Sequence, residues 1–506
     1  MSSTDTSRPD YQCPAYLEME SRWALVEDIR AGTAEIRAKP ETYLPKFEAE
    51  TTKDWAARIA MSFVADHYAT TVAEHVGLVL ADPIKLGEDV PQQIRDLCED
   101  IDGDGNHLDV FAQSALDAAL HLGHCVLLTD YPVTDSIKSK ADEKAALARP
   151  YVTLYRASDV LSPQAVTVGG ALVLVRIMLR ESGSEPDGEF GVKQCTRYRE
   201  IRQEVFYDEV TGRARSLGAI TWRAWRQADK PDVAGQVQFD EIGSGTIVGP
   251  PRIAARIIYG GEKLGLLHTK PHLYGLALSN LEETQVASDY AAVMHKCNVP
   301  TPVFIGRNVK AGDASTKTVQ MGQGIDIPIG GDVKMLEPSG VALGATRQRL
   351  EDLRVQMRRQ GATMDDATST EKTATEAKLY AKQRNAKLAR AARSLQDALE
   401  GVNADFAAFM GLPDGGSVAV AQDFAGGTGL DPDYLQVLVQ AFVANGLPLP
   451  ALLYALEKGR LPEDFQLDPE TKRFIGDELA RRKAEWEAEK APTAVDATPI
   501  VEKKVA

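Results

Sequence analysis

The stretch from Thr373 to Gly411 constrains this chain more than any other. It reads TATEAKLYAKQRNAKLARAARSLQDALEGVNADFAAFMG, with no Pro or Gly between Glu376 and Glu400, and is rich in the strongest helix formers. Leu388, Leu395, Leu399, Val402, Phe406 and Phe409 follow one another at steps of seven, four, three, four and three, which draws one apolar stripe down a helix. Thr373 or Thr375 can cap the start, and Gly411 followed by Pro413 stops it. At 1.5 Å per residue such a helix runs roughly 55–60 Å, longer than an ordinary globular domain needs. Its first half is basic (Lys378, Lys382, Arg384, Lys387, Arg390 and Arg393), with no acid from Ala377 to Gln396. A second helical stretch, Val341–Gln360, lies upstream, and a polar Thr/Asp-rich loop, Gly361–Lys372, separates the two.

A chain of 506 residues exceeds the size at which one core stops growing, so two or more subdomains are expected. No apolar run approaches the ~18 residues of a membrane helix, and the best, Ala171–Leu179, contains Arg176. The opening MSSTDTSRPDYQ lacks the apolar core of a secretory signal. Cys13, Cys98, Cys125, Cys195 and Cys297 are scattered and odd in number, the pattern of reduced thiols in a cytosolic compartment. The net charge is −16, whereas a protein that grips DNA is usually basic. Charge alone points first to solubility; an acidic chain handles DNA where its task is to let DNA pass rather than hold it.

Helical periodicity from Ser21 to Ala81 (Trp23, Val26, Ile29, then Trp55, Ile59, Phe63, Val72) gives way at Asp82–Pro83, and Asp109–Leu122 is a further helix before a short strand, Cys125–Leu128. From Pro150 to about Gly261 the period becomes two. Tyr151–Tyr155, Ala171–Leu179, Arg197–Tyr207, Ile220–Trp225, Val237–Ile242 and Arg256–Tyr259 alternate with turns such as Glu185–Gly188 and Glu209–Gly212. Consecutive short strands carried by helices predict an antiparallel sheet in an α+β fold. Leu273–Cys297 is helical again, with Leu278, Leu281, Val286, Tyr290 and Val293 as its apolar positions; Asn298–Pro338 is strand-like, and Asp431–Lys490 is helical.

No Walker A loop, nucleophile elbow, HExxH or dinucleotide fingerprint occurs in the sequence. Asp100, Asp102, Asp104 and Gly105 occupy the first positions of a calcium loop, but its twelfth position holds Phe111 instead of a bidentate Glu. Asp/Gly/Asn clusters are also ordinary turn composition. His121, His124 and Cys125 have the spacing of a ligand group, yet no second cluster completes four ligands. The acidic cluster is therefore expected in a turn and the histidines in a core or on the surface, with no metal, no cofactor and no catalytic group.

The order of elements is more informative. YLPKFEAETTKDWAARIAMSFVADHYATTVAEHVGLVLADP (Tyr43–Pro83), GHCVLLTDYP (Gly123–Pro132), RPYVTLYRASDVLS (Arg149–Ser162), KPHLYGLALSNLEETQVASDYAAVMHKCNVPTPVFIG (Lys270–Gly306) and TSTEKTATEAK (Thr368–Lys378) lie in sequence. Together they resemble a portal family (head-to-tail connectors) of tailed bacteriophages, one catalogued as a domain of unknown function. The resemblance covers roughly residues 15–485.

What the resemblance implies is a subunit with a flexible N-terminus (1–20), a wing (21–272), a stem helix (273–297), a clip (298–338), a second stem helix (339–360), a tunnel loop (361–375), a long wing helix (376–411), a linker (412–430), a helical crown (431–490) and a disordered tail (491–506). It implies a cyclic homo-oligomer, dodecameric, through which double-stranded DNA passes without sequence specificity, with terminase, a head-completion or tail adaptor protein and the major capsid protein as partners and no membrane. On it, Arg354, Arg358, Arg359, Asp365, Asp366, Thr368, Ser369, Lys372 and Lys378 lie at the channel loop, the cations making transient phosphate contacts. Pro302, Phe304, Arg307, Lys310 and Lys317 belong to the docking clip, and Leu388, Leu395, Leu399, Val402 and Phe406 form either a seam between subunits or a core within one. The virion would be its location. A minor head or scaffold component, and an enzyme using Asp100–Asp104 as a metal site, are the readings set beside it.

Overall fold

The change of period from helical to alternating and back is reproduced element by element in the computed structural model. The structure describes residues 5–48, 50–132, 148–228, 236–297, 301–305, 332–336, 341–361, 374–422 and 432–443, with 448, 452 and 455. Seven helices come first: α1 (Pro14–Ala31), α2 (Thr33–Ala38), α3 (Pro40–Tyr43), α4 (Thr52–Met61), α5 (His67–Val79), α6 (Gln92–Cys98) and α7 (Leu108–Leu122), with β1 (Lys85–Leu86) between α5 and α6. Ten strands follow: β2 (His124–Asp130), β3 (Tyr151–Arg156), β4 (Gln164–Val168), β5 (Ala171–Asp187), β6 (Gly191–Tyr207), β7 (Ala214–Gln227), β8 (Phe239–Ile247), β9 (Ala255–Tyr259), β10 (Glu262–Gly265) and β11 (His268–Lys270). Then come α8 (Tyr274–Cys297), β12 (Thr301–Ile305), β13 (Asp332–Leu336), α9 (Val341–Arg359), α10 (Ala374–Met410) and β14 (Val418–Ala419). All belong to one compact unit, Met1–Gln422, while α11 (Pro432–Val443) belongs to a second, Asp423–Ala506. The fold is α+β, as the alternation predicts.

The strands form two main antiparallel sheets rather than one. β2 sits between β3 and β9, and β4-β5-β6-β7-β8 make a five-stranded meander. The sheets share one core: Val126, Leu128 and Tyr155 of the first pack with Ile177, Leu179, Ile201 and Ile220 of the second. Alternation marks each strand but not its partner. β2 pairs Leu127 with both Leu154 and the distant Arg256, so the three-stranded sheet closes only through a contact more than a hundred residues away. Glu200, 2% exposed in the larger sheet, is neutralised by Arg176 at 2.6 Å and Arg223 at 2.7 Å, which offsets the cost of burying its charge.

Two expectations are corrected at the edges. The N-terminus is ordered from Pro14, where Pro at the first helical position and the Cys13 N–H donated to the Leu161 carbonyl start α1, and Tyr16 and Met19 are buried. The first part of the expected linker is also fastened. β14 pairs with β1, Ser417 donates through its N–H and hydroxyl to Asp89 at 3.0 and 2.7 Å, and the Val418 N–H reaches Glu400 at 3.2 Å.

α10 is the long helix that the Leu/Phe stripe predicts. Gly411, at φ +69°, ends it, and the Leu412 N–H reaches back to the Ala407 carbonyl at 2.8 Å in a Schellman motif. Leu388, Leu395, Leu399, Val402 and Phe406 are all buried within this chain alone, against the sheet that ends in β9. Arg256 of β9 pairs with the buried Asp405 at 2.8 Å, and the Tyr259 N–H donates to the Ser394 hydroxyl at 2.8 Å. Burial pushes the Asp405 carboxyl up, and Arg256 pulls against that rise. A side chain with no accessible surface cannot touch a neighbour, so the stripe is core and the expectation of a subunit seam there is corrected.

Candidate functional site

The described residues of 272–361 form an arm of two helices and two strands, each pair antiparallel. α8 and α9 lie side by side: Gly275 faces Gln360, Gln356 donates to the Ser279 hydroxyl at 3.2 Å, Arg354 Nε meets Glu283 Oε1 at 3.1 Å, and Arg349 bonds Glu282. The same opposition continues into a two-stranded ribbon, where Thr301 pairs with Leu336 and Ile305 with Asp332. Among the described residues the helix pair and the strand pair thus share the antiparallel sense. With 24 residues, α8 alone is about 36 Å long at 1.5 Å per residue.

The arm is fixed to the body through polar side chains. Asn280, fully buried, accepts from the Tyr68 N–H at 3.2 Å and donates to the Ala65 carbonyl at 3.0 Å. Tyr68 lies in the first turn of α5, where helical N–H groups have no partner within the helix, so Asn280 caps α5 from another element. Glu283, also buried, lies between His67 Nε2 at 3.2 Å and Arg354. Burial works to raise its carboxyl, but the hydrogen bonds from His67 and Arg354 together hold it below the ordinary range. Gln285 donates to the Tyr43 carbonyl at 2.8 Å, and Arg58, bound to Glu50 at 2.9 Å, reaches Asp289 at 3.3 Å.

This reverses the expected orientation of α8. The apolar steps point to Leu278 and Val293 as core positions, yet both are 45% exposed, while Ser279, Asn280, Glu283, Thr284 and Ser288 are buried. The inward face starts with Leu276 and Ala277, both buried, and from Ser279 on is carried by polar residues at three- and four-residue steps.

Arg354, expected near DNA, is committed to Glu283 within the arm. Arg358 also takes part in a contact, and Arg359 lies on the outer face of α9 with Arg349 and Asp352. Asp365, Asp366, Thr368, Ser369 and Lys372 of the loop, and Arg307, Lys310 and Lys317 of the clip, lie outside the described residues. Pro302 and Phe304 are in β12 and Lys378 is in α10, where the backbone is described.

The acidic loop is a turn. Asp100 accepts from the N–H groups of Gly103 and Gly105 and pairs with Arg149, while Asp102 accepts from the N–H groups of Asp104 and Asn106. Gly103 and Gly105 take φ of +84° and +91°, which folds the backbone onto these carboxylates. The HLGHC segment is a helix-to-strand corner. His121 Nδ1 is 3.0 Å from the Tyr68 hydroxyl, His124 Nδ1 is 2.9 Å from the Thr269 hydroxyl, and burial pushes both imidazoles down, to about 4 and about 3. Among the described residues no group of three His, Cys, Asp or Glu side chains is placed to hold a metal. The four described cysteines are free thiols, and no described helix is long and apolar enough to cross a membrane.

A family described as a domain of unknown function (DUF4055) matches residues 272–410. The match opens two residues before α8 and closes at the last residue of α10, so it takes in the arm and the long helix and leaves out both sheets. It spans well under half of the chain, and no curated protein matches.

Proposed function

We propose that this chain is a portal subunit: a protein of the phage capsid vertex that closes, with copies of itself, into a ring through which double-stranded DNA enters and leaves the head. The observation that carries the reading is the arm, an antiparallel helix pair with an antiparallel two-stranded ribbon between its helices in sequence, and a long helix as the next described element. The sequence between α9 and α10, residues 360–373, is the polar loop that the resemblance aligns with a channel loop.

In this reading the helix pair lines the conduit, the ribbon and residues 306–331 form the docking clip for terminase and later for a head-completion or tail adaptor protein, and the sheets form the wing. The subunit has no catalytic role of its own; packaging is driven by the terminase. Leu278, Val293 and Val355, exposed on the arm of a single subunit, suit burial against adjacent arms. A net charge of −16 suits passage, since a strongly basic bore would hold DNA with high, salt-sensitive affinity. Negative-stain microscopy of the purified full chain tests the reading. Rings with a central hole are expected; filaments or compact particles without a hole would overturn it.

A further inference from the structure

Two described surfaces of opposite charge sit on different elements of this chain. The first is the tip of the β5–β6 hairpin. From Glu181 to Gly191 the sequence carries Glu181, Glu185, Asp187 and Glu189 and no Lys or Arg. Glu185 is held by Arg197 at 3.1 Å and Arg226 at 2.7 Å, but Asp187 and Glu189 are exposed on either side of Gly188, and the next residue, Phe190, is 92% exposed. Pairing is continuous from Ile177↔Ile201 in the core to Asp187↔Gly191 at the tip. Ten further residues per strand at about 3.3 Å each carry the tip roughly 33 Å beyond that core. Among the described residues nothing covers this aromatic ring at the end of its acidic ribbon.

The second surface is a groove of about 470 Å³ between β9, β10 and α10. Lys263, Arg390, Arg393, Ala386, Ala389 and Asp397 line it. Lys263 Nζ lies 4.4 Å from the centre of the Tyr259 ring, and the Tyr259 hydroxyl is buried there with no hydrogen-bond partner among the described residues. The groove therefore offers three cations, of which Arg393 also donates through Nε to Gln422 at 2.9 Å, and two alanine methyls beside them.

We infer that this groove receives the β5–β6 hairpin tip of a second copy of the chain. Asp187 and Glu189 meet Lys263, Arg390 and Arg393, and Phe190 lies on Ala386 and Ala389 beside Tyr259. The inference rests on the ring reading, because a contact between two different surfaces of like subunits is the head-to-tail kind that closes rings. DNA phosphate, the competing anion, leaves Ala386 and Ala389 without an apolar partner, whereas the tip brings the exposed Phe190 together with its carboxylates.

The test is a charge swap on the full chain. One variant carries Asp187→Lys and Glu189→Lys, a second carries Arg390→Glu and Arg393→Glu, and a third carries all four. Assembly is followed by light scattering across protein and salt concentration, folding by thermal unfolding, and DNA binding by anisotropy of a short labelled duplex. The first two variants are expected to fold normally and to need at least about tenfold more protein to assemble, since like charges then face each other. The third regains assembly, because swapped tip meets swapped groove. If every variant assembles as the natural chain does, the contact is wrong and the ring stands. A groove variant that assembles but loses duplex binding makes the groove a phosphate site and overturns the inference. Failure of the folded fourfold variant to regain assembly overturns the pairing. A natural chain that stays monomeric throughout overturns both the contact and the ring.

Discussion

Replacing Asn280 with Leu probes how the arm is held. The side chain is fully buried and makes two hydrogen bonds to backbone, so the cost follows from what each partner has left. The Ala65 carbonyl keeps a second donor, the His67 N–H at 2.9 Å, and loses one ordinary bond, about 0.5–1.5 kcal/mol. The Tyr68 N–H sits in the first turn of α5 with no other acceptor recorded; leaving it buried and unpaired costs about 1–3 kcal/mol. The sum is about 1.5–4.5 kcal/mol, partly recovered through the added apolar area of Leu, and it falls on the contact between α8 and α5. Hydrogen exchange read by mass spectrometry localises it: protection of peptides from 274–297 and 67–79 should drop by roughly tenfold, at about tenfold per 1.4 kcal/mol. Peptides from the five-stranded sheet should be unchanged. Asn280→Asp, which keeps the acceptor for Tyr68 and places negative charge at a helix N-terminus, should lose less. If Asn280→Leu exchanges like the natural chain in both helices, the polar anchor is not what fixes the arm.

Three further outcomes follow from the packing. Leu395→Ala should destabilise the isolated subunit by about 2–5 kcal/mol in denaturant unfolding, because the stripe is its own core; an unchanged subunit with weakened assembly would return the stripe to the seam. His121 and His124 are held neutral with lowered pKa values, so the unfolded chain takes up protons that the folded chain refuses, and their contribution to stability is present above about pH 6.5 and lost as pH falls toward 4. At pH 5 the loss for His121 alone is about 2 kcal/mol, from roughly 1.5 pH units at 1.36 kcal/mol each, and His121→Gln should flatten the acid limb of a thermal-unfolding series; an equally steep limb would refute this. Gly123→Ala meets both a φ of +97° and the Thr269 hydroxyl at 2.5 Å from the new methyl, so a clear loss of thermal stability is expected, and a neutral variant would contradict the corner geometry.

How much of this was legible in the sequence depends on the range of the interaction. The α10 stripe, its Gly411 stop and the turns at Gly188 and Gly212, both at positive φ, are local, and spacing alone locates them. The division into two sheets is not local: β2 looks like any buried strand until β9 arrives beside it from residues 255–259. The inward face of α8 was misjudged for the same reason. Asn280 and Glu283 find their partners at Ala65, Tyr68 and His67, more than two hundred residues upstream, and a polar side chain shows its burial only through its partner. Arg354 looked like one more cation beside a polar loop, and only the antiparallel register of α8 and α9 gives it to Glu283. The groove on α10 was foreshadowed by the acid-free run from Ala377 to Gln396, but its Lys263 and its Tyr259 hydroxyl come from strands that no helical period reports.

The central claim is a closed ring of identical subunits, and the native mass of the full chain measures it most directly. A 55.0 kDa subunit in a ring of about twelve predicts a single species near roughly 660 kDa whose mass does not grow with concentration once formed, because a closed head-to-tail interface leaves no free face. A mass that stays at one or two subunits at the highest attainable concentration, or one that rises without limit, would contradict it.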